Sequence, residues 1–485
     1  MTALKYATAD TAAASSEAPL TLEEAAPRTL RLVDQLGLWG NLGVSLLGFT
    51  GALYVLAPID APMSLAAAMT AVVVGTVLGT AGVAAAAAPG ARTGAPAMVL
   101  LRGLLGSRAS YLPTVLNIVQ LVGWTTFELV TIGAAMHQLT PDVPRWLYVL
   151  SGGVLTTALA LRPLGWLRAL RKYVTVVVLI ALTYFFVQIL RHPLPGWGDG
   201  GWHDFWLAVD GVVGVSVSWV PLASDYSRHA HSAKQAAVGA FVGYSITQIA
   251  CYALGLFTLV TVANGDPNEI FGSFLAVPLG GLAFAVLAIR ELDQSFADTY
   301  STAVSVQNLR PRWDRRVLAL VVGTVATTVS LALDINDYYN FLVLIGAVFA
   351  PLLGVLVVDW FLLSRQHWDL GTGVRTRWIN LAAWAAGFVA YQLINPGLIG
   401  WWVDWWNGVD DWLGFTPASW MSASLLSFAV AAAGTLLGLT VRPRRRSATS
   451  DGGSTGSQAR STSLEGDVVT AQVQGDAVRL GGQRL

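Results

Sequence analysis

The stretch GNLGVSLLG, residues 40–48, lies inside an otherwise apolar run from Leu36 to Ala57. It carries three glycines and an asparagine, although each glycine in a helix interior costs about 1 kcal/mol relative to alanine. Backbone that leaves the helix inside a membrane must find polar partners, so such a break persists only where it lines a cavity. The stretch therefore predicts a spanning helix that is interrupted halfway, with Gly43 and Ser45 at a binding site.

A second copy of this pattern occurs farther along the chain. Gly-x-x-Gly-Val-Ser runs from Gly40 to Ser45 and again from Gly211 to Ser216. Corresponding glycine-interrupted segments in the two halves of a carrier indicate a binding site at the middle of the membrane. Close helix packing through small residues would produce a similar pattern in either stretch alone. The paired occurrence favours two broken helices, with Gly214 and Ser216 also at the site.

The composition is that of a membrane protein. Of the 485 residues, 54% are hydrophobic and only 12% are charged, which is too little polar surface to cover a water-soluble globule. Apolar runs long enough to cross about 30 Å of hydrocarbon predict twelve spans. These spans are 35–57, 63–87, 112–136, 146–161, 174–190, 205–222, 236–263, 277–304, 317–333, 339–363, 378–394 and 418–440.

The lysines and arginines test this count independently, because loops that stay in the cytoplasm accumulate positive charge. With the N-terminus inside, 26 of the 29 Lys and Arg residues fall on the inner side. One missed span would reverse the side of every later loop. We therefore expect a multi-pass protein of the cell membrane (plasma or inner membrane) with both termini cytoplasmic. Composition further predicts a transporter domain at 31–441 between disordered tails at 1–30 and 442–485.

The third predicted span has a polar face in otherwise apolar sequence. Asn117, Gln120, Trp124, Glu128 and Thr131 recur at steps of three and four residues, which places them on one side of a helix. A carboxyl near mid-membrane costs several kcal/mol if it is ionised and faces lipid, so Glu128 should face the bundle interior. Trp124, one turn earlier, is either a packing residue or a stacking wall for a planar ligand.

The eighth predicted span holds the other concentration of polar residues. Asp298 can share a face with four neighbours: Glu291, Gln294, Ser295 and Ser305. Asp293 points about 140° away from Asp298 at 100° per residue. We expect Arg290 to form a structural ion pair with Glu291 or Asp293, and Asp298 to be the site residue of this span.

Five segments of the chain carry a family resemblance. They are GARTGAPAMVLLRGLLGSRASYLP (90–113), GWTTFE (123–128), SWVPLASDYSRHA (218–230), ADTYSTAVSVQNLRPR (297–312) and DYYNFLVLIGAVFAPLLGVLVVDWFLL (337–363). Together they resemble the nucleobase-cation symporter family, the purine/cytosine permeases, over about residues 30–440. The resemblance implies a leucine-transporter-like, all-α membrane fold of about twelve transmembrane helices. That fold has two inverted five-helix repeats plus two extra helices, discontinuous helices 1 and 6, and alternating access around a central site.

The resemblance also assigns residues to the substrate site. In hydantoin-transporting relatives a helix-three Trp stacks on the ligand and a Gln four residues later bonds to it; Trp124 and Glu128 stand at these positions. A ligand-binding Asn of helix eight is replaced by Asp298. A second stacking Trp of helix six is replaced by Ser216, with Trp219 one turn away.

These departures bear on the coupling ion. The Ser-Thr pair of the sodium site in relatives falls on Leu292 and Asp293, so a Na⁺ site near Asp293 would be altered. A protonated Glu offers both a donor and an acceptor. We therefore expect Glu128, assisted by Asp298, to take up a proton together with cytosine or an aminopyrimidine such as hydroxymethylpyrimidine. The competing version keeps Glu128 ionised against a guanine-like edge, with Na⁺ bound by Asp293. No cofactor is expected.

Other classes of protein are less consistent with the sequence. It has no His-Glu-x-x-His motif or nucleophile elbow, which an enzyme would need. Its arginines are distributed according to the membrane topology and do not form one nucleic-acid-binding face. His229 and His231 lie in a short basic loop and are expected to be solvated. The remaining alternative is a sodium-coupled carrier of the same fold for an allantoin- or hydantoin-like ureide or an amino acid. An amino-acid carboxylate would be repelled by Glu128 and Asp298 unless they are protonated.

Overall fold

The computed structural model describes residues 18–58, 62–164, 174–263, 270–332 and 338–441, so most of both predicted tails lies outside it. Within these ranges the chain is helical, and its only β-bridges are isolated ones. The helices, in chain order, are α1 (Leu32–Leu42), α2 (Leu46–Leu56), α3 (Leu65–Thr93), α4 (Ala97–Leu105), α5 (Tyr111–Leu139), α6 (Arg145–Leu161), α7 (Thr175–Ile189), α8 (Phe205–Val217), α9 (Ala223–Ser227), α10 (Ala233–Thr261), α11 (Ile270–Ala276), α12 (Gly280–Arg290), α13 (Leu292–Leu309), α14 (Arg315–Ser330), α15 (Tyr338–Val357), α16 (Trp378–Ile394), α17 (Gly400–Leu413) and α18 (Ala423–Val441).

Each of the twelve predicted spans contains helix in the described part of the chain. Four helical segments are individually long and apolar enough to cross a membrane: α3, α5, α10 and Asn340–Leu363, which is α15 extended by a π-helical turn. The α1–α2 pair adds a fifth span, bent by 55°. Among the described residues, five further helices are apolar but shorter: α6, α7, α8, α16 and most of α18. The chain is therefore a multi-span α-helical membrane protein, as the sequence predicts.

The first predicted helix is broken where the glycine pattern predicts. α1 ends at Leu42, and Ser45, in an extended conformation, caps the start of α2 by accepting a hydrogen bond from the amide of Leu47 (3.1 Å). Gly43 in the break faces α10: a Cβ there would overlap Thr247 Oγ1 and lie 2.8 Å from the carbonyl oxygen of Tyr244. Only a glycine allows this close approach. Because α1 ends at Leu42 and α2 begins at Leu46, the prediction of a discontinuous helix 1 is confirmed.

The sixth predicted helix is also discontinuous, but its break lies later than the glycine pattern indicates. Gly211–Ser216 is helical within α8, and the chain leaves the helix over residues 218–222 before α9 begins. Pro221 lies in this break and has no amide hydrogen to continue a helix. The repeated pattern thus locates the broken helix correctly, whereas Pro221 marks the position of the break.

Residues 18–30 correct the predicted boundary of the N-terminal tail. They pack against the helical body: Gln307 Nε2 donates a hydrogen bond to the carbonyl oxygen of Leu20 (2.7 Å). His229, expected to be solvated, is only 1% exposed and contacts the carbonyl oxygen of Pro27 through Nδ1 (2.9 Å). Burial lowers the pKa of His229 to about 3, so the ring is neutral and donates from Nδ1. The ordered body therefore begins before residue 31.

Candidate functional site

A cavity lies where the breaks of the first and sixth helices meet α5, α10 and α13. Six predicted site residues line it: Gly43, Ser45, Trp124, Glu128, Trp219 and Asp298. Its volume is about 30 Å³, whereas a cavity needs at least about 10–15 Å³ to hold one water molecule. A heterocycle can therefore enter only if the surrounding helices move apart.

The chemical centre of the cavity is a pair of carboxyl groups. Glu128 on α5 and Asp298 on α13 both line the cavity and lie close enough to interact electrostatically. The two acids are only 1% and 3% exposed. Two ionised carboxylates that face each other in a buried site repel each other and have no proton to share in a hydrogen bond. We therefore expect this pair to take up a proton.

Aromatic side chains form the walls beside this pair. The Trp124 ring is held by Phe341, edge to face, with 5.2 Å between ring centroids. Trp219, in the break of the sixth helix, packs edge-on against Trp39 and Tyr244, with both centroid distances at 6.0 Å. Trp124 precedes Glu128 by one helical turn on the same face of α5. A planar ligand that bonds to the carboxyl can thus lie against the indole face.

Two predicted substrate residues of α5 lie outside the cavity lining. Asn117 Nδ2 donates to Ser305 Oγ on α13 (2.9 Å). Gln120 Nε2 donates to Asn117 Oδ1 (2.9 Å) and to the backbone carbonyl oxygen of Ser218 (3.0 Å). These bonds connect α5 with α13 and with the break of the sixth helix. In this arrangement Asn117 and Gln120 hold neighbouring helices together, and a contact of either residue with the substrate stays a prediction.

Gly214, Ser216 and Asp293 are also absent from the cavity lining. Ser216 is fully buried and donates to Oε1 of Gln248, which lines the cavity (2.9 Å). Gly214 faces Leu342, whose carbonyl oxygen would lie 3.5 Å from an added Cβ. Asp293 is 1% exposed. These three residues therefore lie on the same predicted spans as lining residues, but they do not line the cavity themselves.

One side of the cavity was not predicted. It is built by α10, which contributes four lining residues: Tyr244, Gln248, Cys251 and Tyr252. Their spacing of four, seven and eight residues from the first member places them on one helical face. Three of them resemble ordinary core residues in sequence. Gln248, a polar residue in an apolar run, is the signal that would have identified this face.

The carbonyl groups freed by the break of the first helix already have a partner. Gln294 Nε2 donates to the carbonyl oxygens of Leu42 (2.6 Å) and Val44 (3.2 Å). These are the backbone groups that an unwound helix offers to a cation. In this structure a neutral amide bonds to them, and Asp293 is not among the residues that line the neighbouring cavity. A Na⁺ site near Asp293 therefore stays a prediction.

Comparison with known sequences identifies related permeases. A family model described as "Permease for cytosine/purines, uracil, thiamine, allantoin" matches residues 27–403. The cytosine permease of Escherichia coli (strain K12) is 23% identical over 199 residues, 40% of this chain and 46% of that protein. The purine-uracil permease NCS1 of Arabidopsis thaliana is 25% identical over 318 residues, 56% of this chain and 52% of that protein. The chain spans about half the length of the curated relatives it matches.

Comparison with solved structures identifies the fold. The transporter Mhp1 of the nucleobase-cation-symport-1 family, closed with bromovinylhydantoin bound, has a TM-score of 0.67 and 16% identity. The match covers 88% of this chain and 96% of that one. Inward-facing Mhp1 has a TM-score of 0.63, covering 90% and 96%. The fold is therefore leucine-transporter-like, as the sequence predicts. With more than half of its length matched by the family model, the chain belongs to the family of permeases for cytosine/purines, uracil, thiamine and allantoin.

Proposed function

We propose that this protein is a secondary active transporter, not an enzyme, that imports a nucleobase or related heterocycle by proton symport. The substrate is cytosine, a purine or an aminopyrimidine such as hydroxymethylpyrimidine. The observation that carries the proposal is the buried pair of carboxyl groups, Glu128 and Asp298, beside Trp124 in a cavity between two broken helices. Family membership and the related cytosine and purine-uracil permeases support the substrate class.

The acid pair supplies recognition and coupling together. A protonated carboxyl presents one donor and one acceptor, which complement a ring nitrogen and an adjacent exocyclic amine. When the ring stacks on Trp124, the ring nitrogen and the amine of the ligand bond to the acid pair and take the place of the contact between Glu128 and Asp298. Substrate and proton then cross together, and the pair releases the proton after the substrate leaves. The proton gradient thereby drives accumulation.

Alternating access follows from the size of the cavity. At about 30 Å³ it cannot hold a pyrimidine ring, so loading requires movement of the helices that enclose it. The two breaks, at Gly43–Ser45 and at 218–222, divide the first and sixth helices into halves that can tilt separately. Opening on one side loads the site, and opening on the other empties it.

The membrane orientation rests on the distribution of basic residues. We place the protein in the cell membrane with both termini in the cytoplasm, because 26 of the 29 Lys and Arg residues then lie on the inner side. The transporter domain extends to residue 441, and its packed body reaches back to residue 18. The bilayer and a small heterocycle are its proposed partners, with no nucleic acid.

Uptake into proteoliposomes tests this function. We expect labelled cytosine to enter under an inward proton gradient and unlabelled hydroxymethylpyrimidine or guanine to compete, whereas leucine does not. Uracil, which lacks the exocyclic amine, should compete less. Uptake under a sodium gradient alone would favour the alternative, a sodium-coupled carrier for a ureide or an amino acid. Absence of cytosine uptake under either gradient would withdraw cytosine as the substrate.

The single cysteine of the chain reports opening of the cavity. Cys251 lines the cavity but is only 1% exposed, so a reagent reaches it only when the site opens. We expect N-ethylmaleimide to inactivate cytosine uptake, and saturating cytosine to slow the reaction because a bound ring covers the thiol. Mass spectrometry of the labelled protein measures the rate, and Cys251→Ser is the insensitive control. Equal labelling rates with and without cytosine would place the substrate elsewhere.

A further inference from the structure

A buried carboxylate occupies the start of the second half of the broken first helix. Glu291 Oε1 accepts a hydrogen bond from Ser45 Oγ (2.8 Å), and Oε2 accepts one from the backbone amide of Leu46 (3.2 Å). Glu291 is fully buried and lies at the one-residue interruption between α12 and α13. Its carboxylate therefore sits at the N-terminus of α2, next to a residue that lines the substrate cavity.

The start of a helix is suited to an anion. Its first amides have no partner within the helix, and the helix dipole places partial positive charge there. In carriers with discontinuous helices, half-helix N-termini point at the anionic groups of substrates. Glu291 places a carboxylate of the protein itself at this position. It satisfies the amide of Leu46 and the hydroxyl of Ser45, both of which would otherwise be open to a ligand.

Arg290 gives this carboxylate a second electrostatic role. Its Nη1 atom lies 3.5 Å from Glu291 Oε2. This confirms the expected ion pair of Arg290, with Glu291 as the partner. Arg290 is 2% exposed, and its three guanidinium nitrogens have no hydrogen-bond partner among the described residues. Glu291 is thus the charge that balances Arg290, and removing it would leave a buried cation uncompensated. A substrate carboxylate would instead meet the carboxylate of Glu291, a group of its own sign.

We propose that Glu291 is a specificity-determining residue: its carboxylate permanently occupies the position that a substrate carboxylate would take. The transporter then accepts uncharged heterocycles and rejects ligands that carry a carboxylate, including amino acids. This inference rests on the proposed function, since it defines the substrate class of the same cavity. It also implies that removal of the side chain opens a carboxylate site formed by Ser45, the amide of Leu46 and Arg290.

Chemical rescue tests the site without reference to any substrate. We expect purified Glu291→Ala to have a lower Tm than the wild type, and sodium formate to raise that Tm progressively, because formate binds the folded form. Sodium chloride at the same concentrations controls for ionic strength. The wild type, and Glu291→Gln, whose amide fills the space, should show no formate-specific shift. If Glu291→Ala folds poorly, recovery of folded protein with formate during purification is the same readout.

Competition tests the selectivity itself. In the wild type, 5-carboxycytosine should inhibit cytosine uptake at least about a hundredfold less well than cytosine-5-carboxamide, which is neutral and has the same number of non-hydrogen atoms, because the carboxylate meets a like charge. Glu291→Ala should narrow this ratio by at least about tenfold. Equal inhibition by both compounds in the wild type, or no formate-specific shift in Glu291→Ala, overturns the proposal. If cytosine is not transported at all, the formate result still decides the role of Glu291, so failure of the proposed function is recognised separately.

Discussion

We expect Glu128→Gln to abolish proton-driven accumulation of cytosine and to leave passive exchange of cytosine intact. Glutamine keeps a donor and an acceptor for the ligand and can still donate to Asp298, but it cannot take up a proton. With an inward gradient of one pH unit and one proton per substrate, the wild type can reach about tenfold accumulation. The variant should equilibrate at a ratio near one. Uptake and counterflow exchange, measured in the same proteoliposomes, separate coupling from binding.

Asp210→Asn is the matched control for this result. Asp210 is another buried acid of the bundle, but Ser422 Oγ and the amides of Ala423 and Ser424 bond to its carboxylate. It lies outside the cavity lining, so its variant should keep proton coupling. If Glu128→Gln still accumulated cytosine with an unchanged pH dependence, Glu128 would not be the coupling residue.

Gly43→Ala should reduce transport at least about tenfold. The added methyl group would overlap Thr247 Oγ1 and lie 2.8 Å from the carbonyl oxygen of Tyr244. Overpacking of this kind typically costs about 1–3 kcal/mol. It would also force α1 away from α10 and displace the break that lines the cavity. Folded yield and cytosine uptake, measured together, distinguish loss of stability from a misplaced site.

Gly40→Ala provides the comparison one helical turn earlier. An added Cβ there would meet only the carbonyl oxygen of Gly243 at 3.7 Å and Thr247 Cγ2 at 4.0 Å, which is ordinary contact. Alanine also favours the helix more than glycine does. Near-normal uptake is therefore expected. If both variants behave alike, close packing at Gly43 does not control the break.

Much of the fold could be predicted from the sequence because membrane helices have strong local signals. Apolar runs located the spans, and the repeated glycine pattern identified the two discontinuous helices. The second break was placed too early. Gly211 and Gly214 make no close contact that would force the backbone out of the helix, whereas Pro221 lacks the amide hydrogen that would continue the helical hydrogen bonds. Local sequence predicts that a helix is weak, but packing decides where it breaks.

The site was predicted only in part, for a related reason. Glu128 and Asp298 stand out because a carboxyl in an apolar helix needs a partner. Helical periodicity assigns a residue to a face of a helix but not to a depth in the membrane, so it could not show that Asn117 and Gln120 lie outside the lining of the cavity. Glu291 bonds to Ser45, 246 positions away in the chain. No pattern within one helix indicates such a contact.

The most direct test of the central claim measures proton movement itself. Liposomes containing the transporter and an internal pH-sensitive dye are prepared in sodium-free buffer at equal pH on both sides, and cytosine is added outside. We predict that the interior acidifies as cytosine enters, and that Glu128→Gln gives cytosine entry without acidification. Cytosine entry into wild-type liposomes with no change in internal pH, or only after sodium is added, would contradict proton symport through Glu128.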